Sequence, residues 1–147
     1  MFKKLIRTDN DIAVTVLRVL LGVVFFPHGM QKLFAWFGGY GFAGTYGFFT
    51  HQLGIPALFA VLAILAEGLG TLGLLTGFLT RIAAFGISMN MIVAVLMLHY
   101  KFGFFMNWDG KQAGEGIEYH ILVIAIGIAL MIKGGGKWSV DHALAKK

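Results

Sequence analysis

The sequence predicts an all-α polytopic membrane protein: an antiparallel four-helix transmembrane bundle with both termini cytoplasmic. Three observations predict it. First, 58% of the residues are hydrophobic and only 13% charged, with a mean hydropathy of +0.79, whereas soluble domains are roughly half apolar. Second, four apolar stretches, each near the ~20 residues that cross a bilayer, fill most of the 147 residues. Third, Lys and Arg divide unevenly between the two sets of connections. Lys3, Lys4, Arg7, Arg81, Lys133, Lys137, Lys146 and Lys147 fall on one side, and Lys32, Lys101 and Lys111 on the other. The richer side is the cytoplasmic one. Residues 1–147 thus read as a single transmembrane domain.

Span one covers about 12–37. Its basic start followed by an apolar run has the look of a secretory signal, but Arg18 interrupts the run and no small-x-small cleavage pattern follows, so it reads as a retained span. Pro27 removes a backbone donor, which predicts a kink at Pro27-His28-Gly29. The glycine- and aromatic-rich stretch 38–47 reads as an interfacial loop. Span two (56–76) opens on Pro56, a residue suited to a first helical turn. The short 76–81 connection then makes it antiparallel to span three (82–100). Beyond a loop with an Asn107-Trp108-Asp109-Gly110 turn, span four (117–133) stops at Gly134-Gly135-Gly136. Ser139 is placed to cap a short surface helix through Ala145.

The absence of cysteine excludes disulfides, thiol redox chemistry, Cys-ligated zinc, iron–sulfur clusters and covalently attached haem. Redox chemistry would have to use a bound, non-covalent cofactor. The net charge of +5 lies mainly at the chain ends and one tight turn, which fits membrane topology and not nucleic acid. Gly68-Leu69-Gly70-Thr71-Leu72-Gly73 matches the dinucleotide fingerprint by letter, yet it sits inside an apolar helix with no preceding strand. With the small-residue spacings Ala66 to Gly70 and Gly73 to Gly77, it reads as a surface for close helix packing.

Function is sought among the ionisable groups inside the spans, because each costs several kcal/mol in hydrocarbon unless it faces a partner, a ligand or water. Arg18 and Glu67 are read as a structural ion pair. His28 and Lys32 share a helical face, being four residues apart, and lie toward the outer leaflet; Lys32 can alternatively extend to the interface. Asn90 is read as a cross-helix hydrogen-bonding residue. His99, nine residues on, points away from it in a straight helix. Glu118 and His120 open span four, where an acidic group also suits the helix dipole. The outer group supplies the candidate site: His28 and Glu118 as catalytic residues, and His28, Lys32, His99 and His120 as ligand-binding residues. No His pair has the i, i+4 spacing of a helical metal site, so no metal is expected.

Arg18 to Lys32 (Arg-x-x-x-Gly, then His-Gly-x-x-Lys), the Glu67 helix with Leu75-Thr76-Gly77 and Thr80-Arg81, Gly116-Ile117-Glu118-Tyr119, and Gly134-Gly135-Gly136 to Ser139-Val140-Asp141 resemble the DoxX family in that order. The resemblance spans nearly the whole chain. It implies a multi-pass protein of the bacterial inner membrane, related to quinone-reducing oxidoreductase subunits. Its polar positions would be Arg18, His28, Lys32, Glu67, Arg81 and Glu118.

Three functions compete. The first is a quinone-linked oxidoreductase component that binds a lipophilic small molecule in the outer half of the bundle, with partner redox subunits. The second is a non-enzymatic anchor or assembly module for partner enzymes. The third is a small transporter built on Arg18, Glu67 and Asn90, for which four short spans leave little room unless the protein is a homo-oligomer.

Overall fold

The computed structural model describes residues 2–146, so Lys147, counted above among the basic residues, lies outside the described residues. After a short helix α1 (Phe2–Leu5), Asp11 starts α2 (Ile12–Phe34). Its carboxylate accepts from the backbone N–H of Ala13 at 2.8 Å and of Val14 at 3.4 Å, donors that a helix start otherwise leaves free. α2 stays helical through Pro27, the position at which the sequence predicts a kink. Neighbouring helices support a segment that lacks one backbone bond. The helix ends before Ala35, in a left-handed conformation (φ 59°), short of the expected Phe37.

The stretch expected to be an interfacial loop is in part helical. α3 (Gly41–Gly47) packs on α2, buries Gly41 and Thr45, and runs into a wide helical turn at Phe48–Gln52. Phe42 and Tyr46, four residues apart, stack with ring centroids 6.3 Å apart and support this short helix.

α4 (Ala57–Thr76) follows Pro56, and Gly77, at φ 70°, closes it in the left-handed conformation that glycine adopts without strain. α5 (Thr80–Ala94) extends through a wide turn, Val95–His99, and a tight one, Tyr100–Phe102. α6 (Glu118–Lys133) ends at Gly134, and Ser139 caps α7 (Val140–Ala145) by accepting from His142 N–H at 3.1 Å. The described residues are all-helical, with no strand. Three helical stretches are long and apolar enough to cross a membrane: Ile12–Phe34, Ala57–Thr76 and Thr80–Phe102. α6 has 16 residues and rises about 24 Å.

α2 packs on α4, α4 on α5, α5 on α6, and α6 back on α2. Leu21, Phe25, Leu74, Ile87, Val123 and Leu130 fill the space between them. Small residues set the close approaches. A Cβ on Gly29 would stand 2.7 Å from the Glu67 carbonyl oxygen, and one on Gly22 3.0 Å from the Leu75 side chain. Gly70 and Gly73 lie against Ala83 of α5. The glycine run of α4 is therefore a packing surface.

Arginine and aspartate close one end of the molecule. Arg18, only 1% exposed, donates to the carbonyls of Leu74, Leu75 (3.0 Å), Gly135 (2.7 Å) and Trp138 (3.3 Å). It thus satisfies carbonyls that the end of α4 leaves free and ties the 134–138 turn to α2. Arg81 does the same for α6, donating to Met131 O and, at 2.9 Å, to Arg7 O. Asp141 of α7 is fully buried, and its two oxygens accept from Leu79 N–H at 2.8 Å and Thr80 N–H at 2.9 Å. It caps α5 from across the fold and holds Leu79 at a left-handed φ of 50°, uncommon for such a side chain. α7 is accordingly docked at its Asp141 end and not only a surface helix.

The expected Arg18–Glu67 ion pair does not form. Register explains why: Gly29, not Arg18, faces Glu67, and eleven residues of helix separate the two levels by about 16 Å. Arg18 instead stands beside the end of α4.

Candidate functional site

Three residues beyond Gly29, Lys32 reaches the carboxylate that Arg18 cannot. Its Nζ donates to Glu67 Oε2 at 2.6 Å, with side chains 22% and 7% exposed. Lysine has three N–H donors, so this bond leaves two for other acceptors. Asn90 on α5 completes the group. Its Nδ2 donates to Ala63 O at 2.7 Å and to Glu67 Oε1 at 3.3 Å, joining three helices through one carboxylate. Cross-helix hydrogen bonding is the role the sequence predicts for Asn90, although it does not reveal the partner.

This network opens on a cleft of about 1410 Å³ whose walls are chiefly apolar. His28, about one helical turn before Lys32, lines the same cleft, with its ring 5.9 Å from that of Phe25. Phe25 also stacks on Tyr119 at 6.4 Å. His99 and His120 join from α5 and α6, ring centroids 4.2 Å apart. His99 lies at the wide turn Val95–His99, which resets the helical phase counted from Asn90. His99 Nδ1 lies 2.9 Å from Glu115 O. Tyr119 and His120 also line the cleft, and the Tyr119 hydroxyl is buried without a hydrogen-bond partner. A buried polar atom left unsatisfied costs about 1–3 kcal/mol.

Of the residues singled out in the sequence, His28, Lys32, His99 and His120 meet around the cleft, and Glu67 joins them. Glu118 does not. Its Oε1 accepts from Met106 N–H at 2.8 Å and Trp108 Nε1–H at 3.1 Å, which ties down the loop before α6. Glu115 acts similarly on Asn107 N–H at 2.7 Å. Sequence reasoning misses Tyr119 as a site residue, although its position next to Glu118, one step around the α6 face toward His120, is a usable signal. Among the described residues, no three His, Asp or Glu side chains gather as a metal site.

A lysine, a carboxylate, an amide and three imidazoles around an apolar cleft can grip the polar atoms of a mostly hydrophobic molecule and exchange protons with it. The comparisons bear on this arrangement. A family model, DoxX, matches residues 13–100, which include Lys32, Glu67, Asn90 and His99. Among similar proteins, "Inner membrane protein YqjF" of Escherichia coli (strain K12) is 30% identical over 138 residues, 94% of this chain and 96% of that one. "Uncharacterized membrane protein Rv3486" of Mycobacterium tuberculosis (strain ATCC 25618 / H37Rv) is 30% identical over 98% of this chain and 88% of its own length. "Putative oxidoreductase CatD" of Bacillus subtilis (strain 168) is 28% identical over 82% of this chain and 79% of its own. No solved structure matches. With the family model covering more than half of the sequence, the chain belongs to the DoxX family.

Proposed function

We propose that the protein is an inner-membrane oxidoreductase component that binds the ring of a quinone in the cleft beside Lys32, Glu67 and Asn90. In this reading α2, α4, α5 and α6 cross the bilayer as an antiparallel four-helix bundle, with the Arg18 and Arg81 end and both termini in the cytoplasm. Eight basic residues against three support that orientation. The inner-membrane assignment draws on the relative from Escherichia coli, and the oxidoreductase assignment on the one from Bacillus subtilis.

The observation that carries the reading is a buried polar network, Lys32–Glu67–Asn90, facing an apolar cleft that His28, His99, Tyr119 and His120 also line. An apolar ring with two oxygens suits such a site. A quinone supplies an acceptor for two electrons and two protons. Lys32 and His28 donate hydrogen bonds to a ring oxygen; on two-electron reduction each passes one proton to the quinone and is reprotonated from water, Lys32 by way of Glu67. Glu118, expected to assist proton transfer, keeps the loop role described above, and Glu67 takes its place in the proposal. Electrons come from a partner redox subunit.

The test is titration of the purified protein in lipid nanodiscs with a ubiquinone or menaquinone analogue. Hydrogen bonds to charged groups are worth about 1.5–3 kcal/mol, so Lys32→Ala should weaken binding by roughly tenfold or more. Binding unchanged in both His28→Ala and Lys32→Ala sinks the assignment. A second reading, a non-enzymatic anchor for partner enzymes, is favoured by one observation: Arg18, Arg81 and Glu118 are all engaged in holding the fold together. Affinity purification from native membranes that returns the protein alone would count against it.

A further inference from the structure

One contact fixes which way round the Asn90 amide stands. The atom 2.7 Å from the Ala63 carbonyl oxygen must donate, because a carbonyl only accepts, so it is Nδ2. The same nitrogen reaches Glu67 Oε1 at 3.3 Å, which commits both of its hydrogens. Oδ1 is left on the other arm of the amide, and among the described residues no donor bonds to it. Asn90 lines the cleft together with Lys32 and Glu67. The polar end therefore carries two unlike groups on either side of one carboxylate, whose oxygens each already take one of their donors. The Lys32 ammonium can only donate, and Asn90 Oδ1 can only accept.

We propose that Asn90 tells the two redox forms of the ligand apart: its Oδ1 accepts a hydrogen bond from the hydroxyl of the reduced ring, so the cleft holds the quinol more tightly than the quinone. The inference rests on the reading given under Proposed function and adds to it a residue that decides which redox state is favoured. A quinone has two carbonyl oxygens and no donor, so Lys32 can serve it and Asn90 Oδ1 cannot. Two electrons and two protons turn each C=O into C–O–H. The oxygen beside Lys32 still accepts from the ammonium, while its new hydrogen turns to Oδ1. Asn90 thus gains a partner only in the reduced state, and in an apolar cleft little water competes for that acceptor. Tighter binding of the reduced form raises the reduction potential of the bound couple, which helps the ring draw electrons from the partner subunit.

The test is anaerobic calorimetric titration of the protein in nanodiscs with 2,3-dimethoxy-5-methyl-1,4-benzoquinone and, separately, with its hydroquinone, empty nanodiscs serving as the blank. The hydroquinone should bind about fivefold tighter, the size of one net hydrogen bond. That ratio raises the potential of the bound couple by about 20 mV, at 29.6 mV per tenfold for two electrons. Asn90→Leu should bring the two affinities to within about twofold of each other, and Asn90→Ala gives the same reading if leucine overpacks the site. The wild-type protein supplies a check that needs no variant: the dimethyl ether of the hydroquinone keeps both oxygens as acceptors but has no O–H, and should bind no tighter than the quinone. Equal affinities for quinone and hydroquinone, a gain that the ether retains, or a hydroquinone preference that persists in the Asn90 variants overturns the role of Asn90 while leaving the ring site standing. No measurable binding of either redox form to the wild-type protein overturns the ring site and this inference together.

Discussion

Replacing Lys32 with methionine leaves the Glu67 carboxylate, 7% exposed, with only the Asn90 amide at 3.3 Å. Removing one partner of a buried pair costs about 3–5 kcal/mol, chiefly because the other charge is left uncompensated. Lys32 keeps 22% of its side chain exposed, which places the pair between fully buried and surface cases. About 2–3 kcal/mol is therefore expected for Lys32→Met. Glu67→Gln should cost a similar amount, since it strands the ammonium instead. The double variant Lys32→Met/Glu67→Gln carries no stranded charge. Swapping a buried pair for uncharged residues is often close to neutral, and the oxygen of the introduced amide can still accept from Asn90, so the double variant should lose less than either single one. Unfolding by SDS titration in mixed micelles, followed by circular dichroism, measures all four proteins of the cycle. A coupling energy of about 2 kcal/mol or more supports the geometry. Additive losses, with coupling under about 0.5 kcal/mol, the range of distant sites, would refute it.

Other outcomes follow from the same structure. Asp141→Asn keeps one acceptor for the Leu79 and Thr80 N–H groups but loses the charge, and Asp141→Ala loses both; the alanine variant should be destabilised by about 1–3 kcal/mol in the same assay, the asparagine variant by less. Arg18→Met should cost about 3 kcal/mol or more, because buried carbonyls on α4 and the 134–138 turn lose their donor together. Gly77→Ala should cost over about 1 kcal/mol: the residue sits at φ 70°, and its Cβ would stand 3.0 Å from Arg18 Cζ and press on Ser139. Hydrogen bonding to Lys133, and then its charge, holds the Asp9 carboxyl below its ordinary range. That contribution is present above the ordinary carboxylate value and disappears as pH falls through the lowered one; Asp9→Asn should flatten this acid limb of a thermal-stability profile, and high salt should mask the difference.

Much of the fold is legible in the residues themselves. Apolar runs mark the long helices, Pro56 and Ser139 mark starts, and Gly77 and Gly134 mark stops, all through local backbone chemistry. The stretch 41–47 reads as a loop because its glycines argue against a helix, while burial of Gly41 and Thr45 against α2 outweighs that weak preference. The candidate site is legible in part of its membership, since Glu118 stands outside it and Glu67 and Tyr119 join it, and not in its pairing. His28, Lys32, His99 and His120 can be gathered by depth, but which charge meets Glu67 depends on the register of α2 against α4. That register is set by Gly22 and Gly29 seating on Leu75 and Glu67, a contact between helices that no count along one helix reveals. The wide turn at Val95–His99 likewise moves His99 from the phase expected of a straight helix. Asp141 escapes notice as a cap because its partners, Leu79 and Thr80, lie 62 and 61 residues away in sequence.

If the Lys32–Glu67–Asn90 network forms the polar end of a ligand cleft, a quinone analogue binds against it. A high-resolution density map of the detergent-extracted protein with a ubiquinone analogue tests it most directly. Ring density is expected in the cleft, with one ring oxygen within hydrogen-bond distance of Lys32 Nζ and the Glu67 carboxylate still paired to that lysine. Ring density elsewhere on the protein, or a cleft filled by the protein's own side chains with analogue present in excess, would contradict it.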